Sequence, residues 1–113
     1  TVLSRGLGDV YKRQTYCFDL DGTLCTLTDG DYEKAEPIID RIEKVNKLYD
    51  EKNTIIINTA RGFVTGTNWE EVTKKQLSDW NVKYNYLYFN KPAADFYIDD
   101  KALEIENWLG DKF

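Results

Sequence analysis

Histidine and methionine are absent from the 113 residues, proline and cysteine occur twice each, and no stretch is strongly basic or continuously apolar. Each absence closes a class of function. Without histidine, Ser-His-Asp and Cys-His nucleophilic mechanisms and most zinc sites are excluded, so acid–base chemistry falls to carboxylates, Lys, Tyr or Cys. Cys17 and Cys25 lie eight residues apart and match neither a CxxC nor a zinc spacing. They are read as two free thiols in a reducing, cytoplasmic setting. No apolar run approaches the ~18 residues that span a bilayer. The N-terminus also lacks the basic-then-apolar layout of a secretory signal, which argues against a membrane partner. Lys and Arg number 15 against 20 Asp and Glu, a net charge of −5. With no basic stripe, a nucleic-acid surface is not expected either. A phosphorylated small molecule remains open, because a metal ion neutralises phosphate inside an acidic site.

What is present describes one domain. The length suits a single core, and an apolar fraction of 42% argues against disorder. Residues 1–14 (TVLSRGLGDVYKRQ) fit no element: they have no sustained period, two glycines and a basic end. They resemble translated adaptor sequence and are expected to be non-native or disordered, leaving 15–113 as the domain.

From Thr15 the pattern is regular. Thr15 to Asp19 is a short apolar run ending in acid, a buried-strand signal. A polar loop runs from Leu20 to about Glu33. After Pro37, Ile38, Ile39, Ile42, Val45, Leu48 and Tyr49 recur at helical spacing. Ile55-Ile56-Ile57 predicts a strand buried on both faces. Asn68 is placed to cap a helix with Trp69, Val72, Gln76, Leu77 and Trp80 on its inner side. Tyr84–Phe89 and Phe96–Ile98 are further strand candidates, and Ala102, Leu103, Ile105, Trp108 and Leu109 suggest a last helix. Alternating strands and helices imply an α/β fold with a parallel sheet and right-handed crossovers. Ligands of such sheets bind beyond the strands' carboxyl ends, where the sequence places Asp19, Thr59 and Asp99.

Asp19 and Asp21 flank one residue after the first strand, and two carboxylates so close require a cation or a shared proton. The useful division makes Asp19 nucleophile and metal ligand, and Asp21 the general acid and base. Gly22 permits the tight turn. An EF-hand is ruled out: counted from Asp19, its obligatory Gly and Glu positions hold Leu24 and Gly30. Thr59 is a candidate phosphoryl ligand through hydroxyl and N–H. Arg61 suits bidentate phosphate binding, and Lys91 could hold both Asp19 and the phosphate. Asp99 and Asp100, adjacent acids at a strand mouth, call for a counter-charge such as Mg²⁺, although Asp100 could instead cap the last helix.

FDLDGTL (18–24), IIINTAR (55–61), NKP (90–92) and YIDD (97–100) together resemble the four motifs of the haloacid dehalogenase superfamily. The resemblance runs from Thr15 to the last helix. It implies a three-layer Rossmann-like sheet of minimal strand order near 3-2-1-4. It also implies an aspartyl-phosphate on Asp19, with Asp21 as general acid and base. Mg²⁺ would be held by the Asp19 side chain, the Asp21 backbone carbonyl and Asp99, and the phosphoryl group by Thr59 and Lys91. Asp21 favours phosphoryl transfer over dehalogenation. The short connections leave no room for a cap domain, so a neighbouring copy in a homo-oligomer, or a large substrate, would close the crevice. TARGFVTG and NKPAADFYIDDKA resemble small members associated with capsular or surface polysaccharide biosynthesis, which implies a phosphorylated sugar or polyol as substrate. One spacing departs from the pattern. Lys91 precedes Asp99 by only eight residues, and at ~3.3 Å per strand residue the chain must descend the sheet quickly for both to meet the site. The phosphate-binding cation is therefore either Lys91 or Arg61. The competing expectation is a non-catalytic module that binds Mg²⁺ or a phosphoryl ligand and regulates a partner.

Overall fold

The computed structural model describes residues 13–109. Three strands form one parallel sheet: β1 (Thr15–Phe18), β2 (Thr54–Asn58) and β3 (Tyr86–Tyr88), with β2 in the middle. Helix α1 (Ile39–Asp50) joins β1 to β2, and α2 (Glu70–Asp79) joins β2 to β3. A one-turn 3₁₀ segment (Tyr32–Lys34) precedes α1, and a short α3 (Ile105–Leu109) follows the sheet. Among the described residues, no helix is long and apolar enough to cross a membrane. Most of the segment predicted to be non-native, residues 1–12, lies outside the described residues. Gln14 does not stand apart from the domain: its carbonyl accepts the Thr54 N–H and extends the β1–β2 ladder.

Ile55 and Ile57 of β2 are wholly buried while Ile56 is half-buried, the alternation of a strand with unequal cover on its two faces. Helix α1 buries Ile42 and Val45 and packs Leu48 and Tyr49 against the core, but Ile39 at its start is exposed. Leu77 is the fully buried apolar anchor of α2. Trp108 brings α3 onto β1, its ring edge-on to Phe18 at 5.1 Å, and its carbonyl accepts Lys44 Nζ from α1 at 2.6 Å.

The expected fourth strand is not formed. Phe96 and Ile98 are 83% and 98% exposed, and residues 92–104 lie outside any strand or helix. The spacing supplies the reason. Lys91 N–H reaches the Thr59 carbonyl (3.3 Å), so the chain is still at the sheet's carboxyl rim at that point. Four residues, 92–95, are too few to cross the sheet and begin a parallel strand from its opposite edge.

The loop after β2 depends on Gly62, whose φ is +84° and where a Cβ would lie 2.3 Å from the Thr67 carbonyl oxygen. At Gly30, φ is +94° but nothing lies within 4 Å of the added carbon. Gly30→Ala is expected to cost about 1 kcal/mol through φ alone, and Gly62→Ala distinctly more because backbone must also move. Urea denaturation of the two variants measures the difference, and equal losses would contradict the close approach.

Candidate active site

The parallel ladder pairs Phe18 with Ile57 and Asn58 with Tyr88. The residues that leave the three strands therefore emerge along one rim. Asp19 follows β1 there, Thr59 to Arg61 follow β2, and Lys91 follows β3. Together with the 20–33 loop they bound a crevice of about 240 Å³ lined by Asp19, Asp21, Thr28, Tyr32, Arg61 and Lys91 among others.

The 20–25 turn is closed on itself. The Leu20 carbonyl accepts the N–H groups of Thr23, Leu24 and Cys25, and Gly22 N–H donates to the Cys25 carbonyl. Arg41 of α1 locks the turn from outside by donating to the carbonyls of Gly22 and Thr23 at 3.2 and 3.1 Å. This holds the two acids in different surroundings. The Asp19 side chain is about a third exposed (35%) and faces Lys91 Nζ at 3.3 Å. Burial pushes its carboxyl above the ordinary carboxylate value, and Lys91 only partly offsets that. Asp21 is instead gripped by the guanidinium of Arg61, Nε to Oδ2 at 2.9 Å and Nη2 to Oδ1 at 2.8 Å.

Lys91 keeps its ammonium over the Tyr97 ring, 4.3 Å from the centroid, and Tyr97 O–H donates to the Pro92 carbonyl. Thr59 is 1% exposed. Its N–H donates to the Tyr88 carbonyl, and its hydroxyl oxygen accepts the Arg61 N–H. The expected phosphoryl contact through the Thr59 N–H is therefore already used by the sheet. Cys25 is buried, with Sγ 3.5 Å from Asp21 Oδ1. Desolvation and the nearby carboxylate push its thiol up to about 12. It stays protonated at neutral pH and is no nucleophile. Both cysteines are free.

Of the expected site residues, Asp19, Asp21, Arg61 and Lys91 meet at the crevice. Asp99 and Asp100 do not line it: both are exposed, and Asp99 Oδ1 accepts the Lys101 N–H at 2.8 Å. The crevice lining thus includes Asp19 and Asp21 but not Asp99. Among the described residues, no group of three acids or thiols is placed to hold a metal ion. Of the four expected Mg²⁺ ligands, Asp19 and Asp21 line the crevice, and both Asp21 oxygens already accept from Arg61. Three contributors escaped the sequence reading: Arg41, Thr73 and Tyr32. Arg41 had a readable signal, since a cation in the first turn of a helix opposes the dipole unless carbonyls receive it.

No protein-family model matches the chain, and no curated protein matches it. Two solved structures share its shape. One is a crystal structure of a structural-genomics target from Vibrio cholerae, with TM-score 0.78 and 24% identity over 88% of this chain and 89% of that one. The other is the structure of a Pnkp1/Rnl/Hen1 complex, with TM-score 0.54 and 18% identity over 93% of this chain and 36% of that one. These likenesses show the fold alone.

The two neighbouring acids should respond oppositely to substitution. Asp19 binds its proton more tightly folded than unfolded, so its ionisation lowers stability as pH rises through the folded value. Asp19→Asn should therefore raise Tm at pH 7, and the gain should disappear below about pH 4, where the acid is protonated in both states. Asp21→Ala strands a buried guanidinium and should cost about 3–5 kcal/mol. Thermal denaturation at pH 7 and pH 3.5 reads both signs. A Tm gain for Asp21→Ala, or a loss for Asp19→Asn at pH 7, contradicts the assigned environments. A thiol titration at pH 8 should also find Cys25 unreactive until denaturant is added.

Proposed function

We propose that the chain is a phosphomonoester hydrolase of the haloacid dehalogenase type, acting through an aspartyl-phosphate on Asp19. The observation that carries this reading is the pairing of a desolvated carboxylate with an ammonium, Asp19 and Lys91 at 3.3 Å, at the strand-end rim of a parallel sheet. A second carboxylate, Asp21, is fixed beside them. The likeness of FDLDGTL, IIINTAR and NKP to that superfamily supports the same assignment, as does a sheet order compatible with 3-2-1 of its core.

In this reading the Lys91 ammonium attracts the phosphate dianion and favours the ionised form of Asp19, partly offsetting its burial. One Asp19 oxygen attacks phosphorus while the bond from phosphorus to the leaving oxygen breaks. Asp21 acts here in its carboxylic acid form, as the resemblance implies: it gives that oxygen its proton and is left as the carboxylate that Arg61 holds. Water then attacks the phosphorus of the acyl-phosphate and surrenders a proton to Asp21, releasing inorganic phosphate and restoring the Asp19 carboxylate. Mg²⁺ belongs to the proposal through the motif resemblance and would supply charge neutralisation between carboxylate and phosphate. Asp19 is the crevice residue suited to bind it. Leu27, Thr28, Asp29 and Tyr32 border the same crevice and leave room for a small polar group, which suits a phosphorylated sugar or polyol. The protein is proposed to work in the cytoplasm, as a homo-oligomer if a second copy covers the open crevice.

Hydrolysis of p-nitrophenyl phosphate and of a panel of sugar phosphates should require Mg²⁺, stop with EDTA and be inhibited by vanadate. Asp19→Asn should abolish turnover, because an amide forms no acyl-phosphate. Undiminished activity in Asp19→Asn would sink the proposal. Ligand binding without turnover of any substrate would instead favour a phosphoryl-binding regulatory module.

A further inference from the structure

Arg61 is only 2% exposed, yet it lies at the wall of a polar crevice. A guanidinium has five N–H donors. Nε donates to Asp21 Oδ2 at 2.9 Å. Nη2 donates to Asp21 Oδ1 at 2.8 Å and to Cys25 Sγ at 3.8 Å. Nη1 donates to Thr73 Oγ1 and to Gln76 Oε1, both at 2.8 Å. The donor set is consumed within the protein. The face of the group lies over the Tyr32 ring, 4.7 Å from the centroid, and Gln76 Nε2 closes the circuit by donating to the Tyr32 carbonyl at 2.7 Å. A phosphate oxygen could reach this guanidinium only by displacing an existing acceptor.

We propose that Arg61 is a positioning residue and not a phosphate ligand: it fixes the Asp21 carboxylate at the crevice by tying it to Thr73 and Gln76 of α2. The anionic part of the ligand is thereby left to Lys91. The inference rests on the phosphohydrolase reading for its kinetic consequences, whereas the Arg61–Asp21 coupling itself does not. The arrangement has a chemical rationale. A lysine in place of Arg61 could not make the paired bonds that set both the position and the plane of a carboxylate. Asp21 lies in the 20–25 turn rather than in a strand, so it needs such an external anchor to aim a proton consistently. Misplacing a catalytic group by about 1 Å is enough to cost on the order of 100-fold in rate.

The test compares Arg61→Lys, Gln76→Leu and Lys91→Gln with the unaltered protein, using p-nitrophenyl phosphate with Mg²⁺ and inorganic phosphate as competitive inhibitor. Arg61→Lys should lower kcat roughly 10- to 100-fold while the inhibition constant of phosphate stays within about twofold. Lys91→Gln should weaken phosphate inhibition about tenfold or more. A tenfold weakening in Arg61→Lys would overturn the proposal. Should Arg61→Lys not fold, Gln76→Leu leaves the guanidinium in place and removes one of its α2 acceptors. It is expected to lower kcat alone, and a change confined to KM or to phosphate inhibition would overturn the proposal. If the unaltered protein turns over no phosphate ester, the hydrolase reading has failed. The positioning inference is then decided by denaturation of Gln76→Leu, Asp21→Ala and the double variant: a combined loss smaller than the sum supports the tie, and strict additivity overturns it.

Discussion

The register between β1 and β2 is the constraint on which the rest depends. Because Phe18 lies beside Ile57 in a parallel pair, the residues that follow each strand leave the sheet together. An antiparallel pairing would have sent Asp19 and Arg61 to opposite ends of the molecule. Parallel pairing needs a crossover, and the apolar face of α1 supplies it by burying Ile42 and Val45 in the same core as Ile55 and Ile57. The rim is thus a consequence of hydrophobic burial some distance below it.

Onto that rim the protein places two carboxylates with different anchorage. Asp19 sits on the end of a strand, desolvated and opposed by one ammonium. Asp21 sits in a turn and is held by a buried fork of hydrogen bonds. Burying a guanidinium is unfavourable unless its donors are satisfied, and here Asp21, Cys25, Thr73 and Gln76 accept all of them. The cost of carrying charge inside a small domain is therefore met by one network joining the β1 loop, the β2 loop and α2. That network also explains why a polar Gln76 occupies a half-buried position on the inward side of α2.

The far side of the site is less complete. β1 is an edge strand, and the 92–104 segment runs over the surface with Phe96, Ile98 and Leu103 exposed. Lys91 and Asp99 compete for the same short length of chain. The lysine is retained at the rim through its backbone bond to Thr59 and its ring contact with Tyr97, and the acid pair is exposed outside the crevice lining.

Much of this was legible in the linear chain. The apolar period of α1, the β-branched run of β2 and the position of Asp19 after β1 are local properties, set by side-chain spacing and burial, and the alternation of strands with helices implied a parallel sheet. Asn68 accepts the Glu70 N–H as its cap position implies, although the helix begins one residue later. The partners of the charged groups were not legible. Which of two cations would face Asp19, and whether Arg61 would meet a ligand or a neighbouring acid, depended on distances across loops 40 residues apart. Local periodicity suffices to specify the parallel core and the acids at its rim. How the charges pair, and why residues 96–98 stay outside the sheet, follow from distances between segments remote in the chain, which no local pattern encodes.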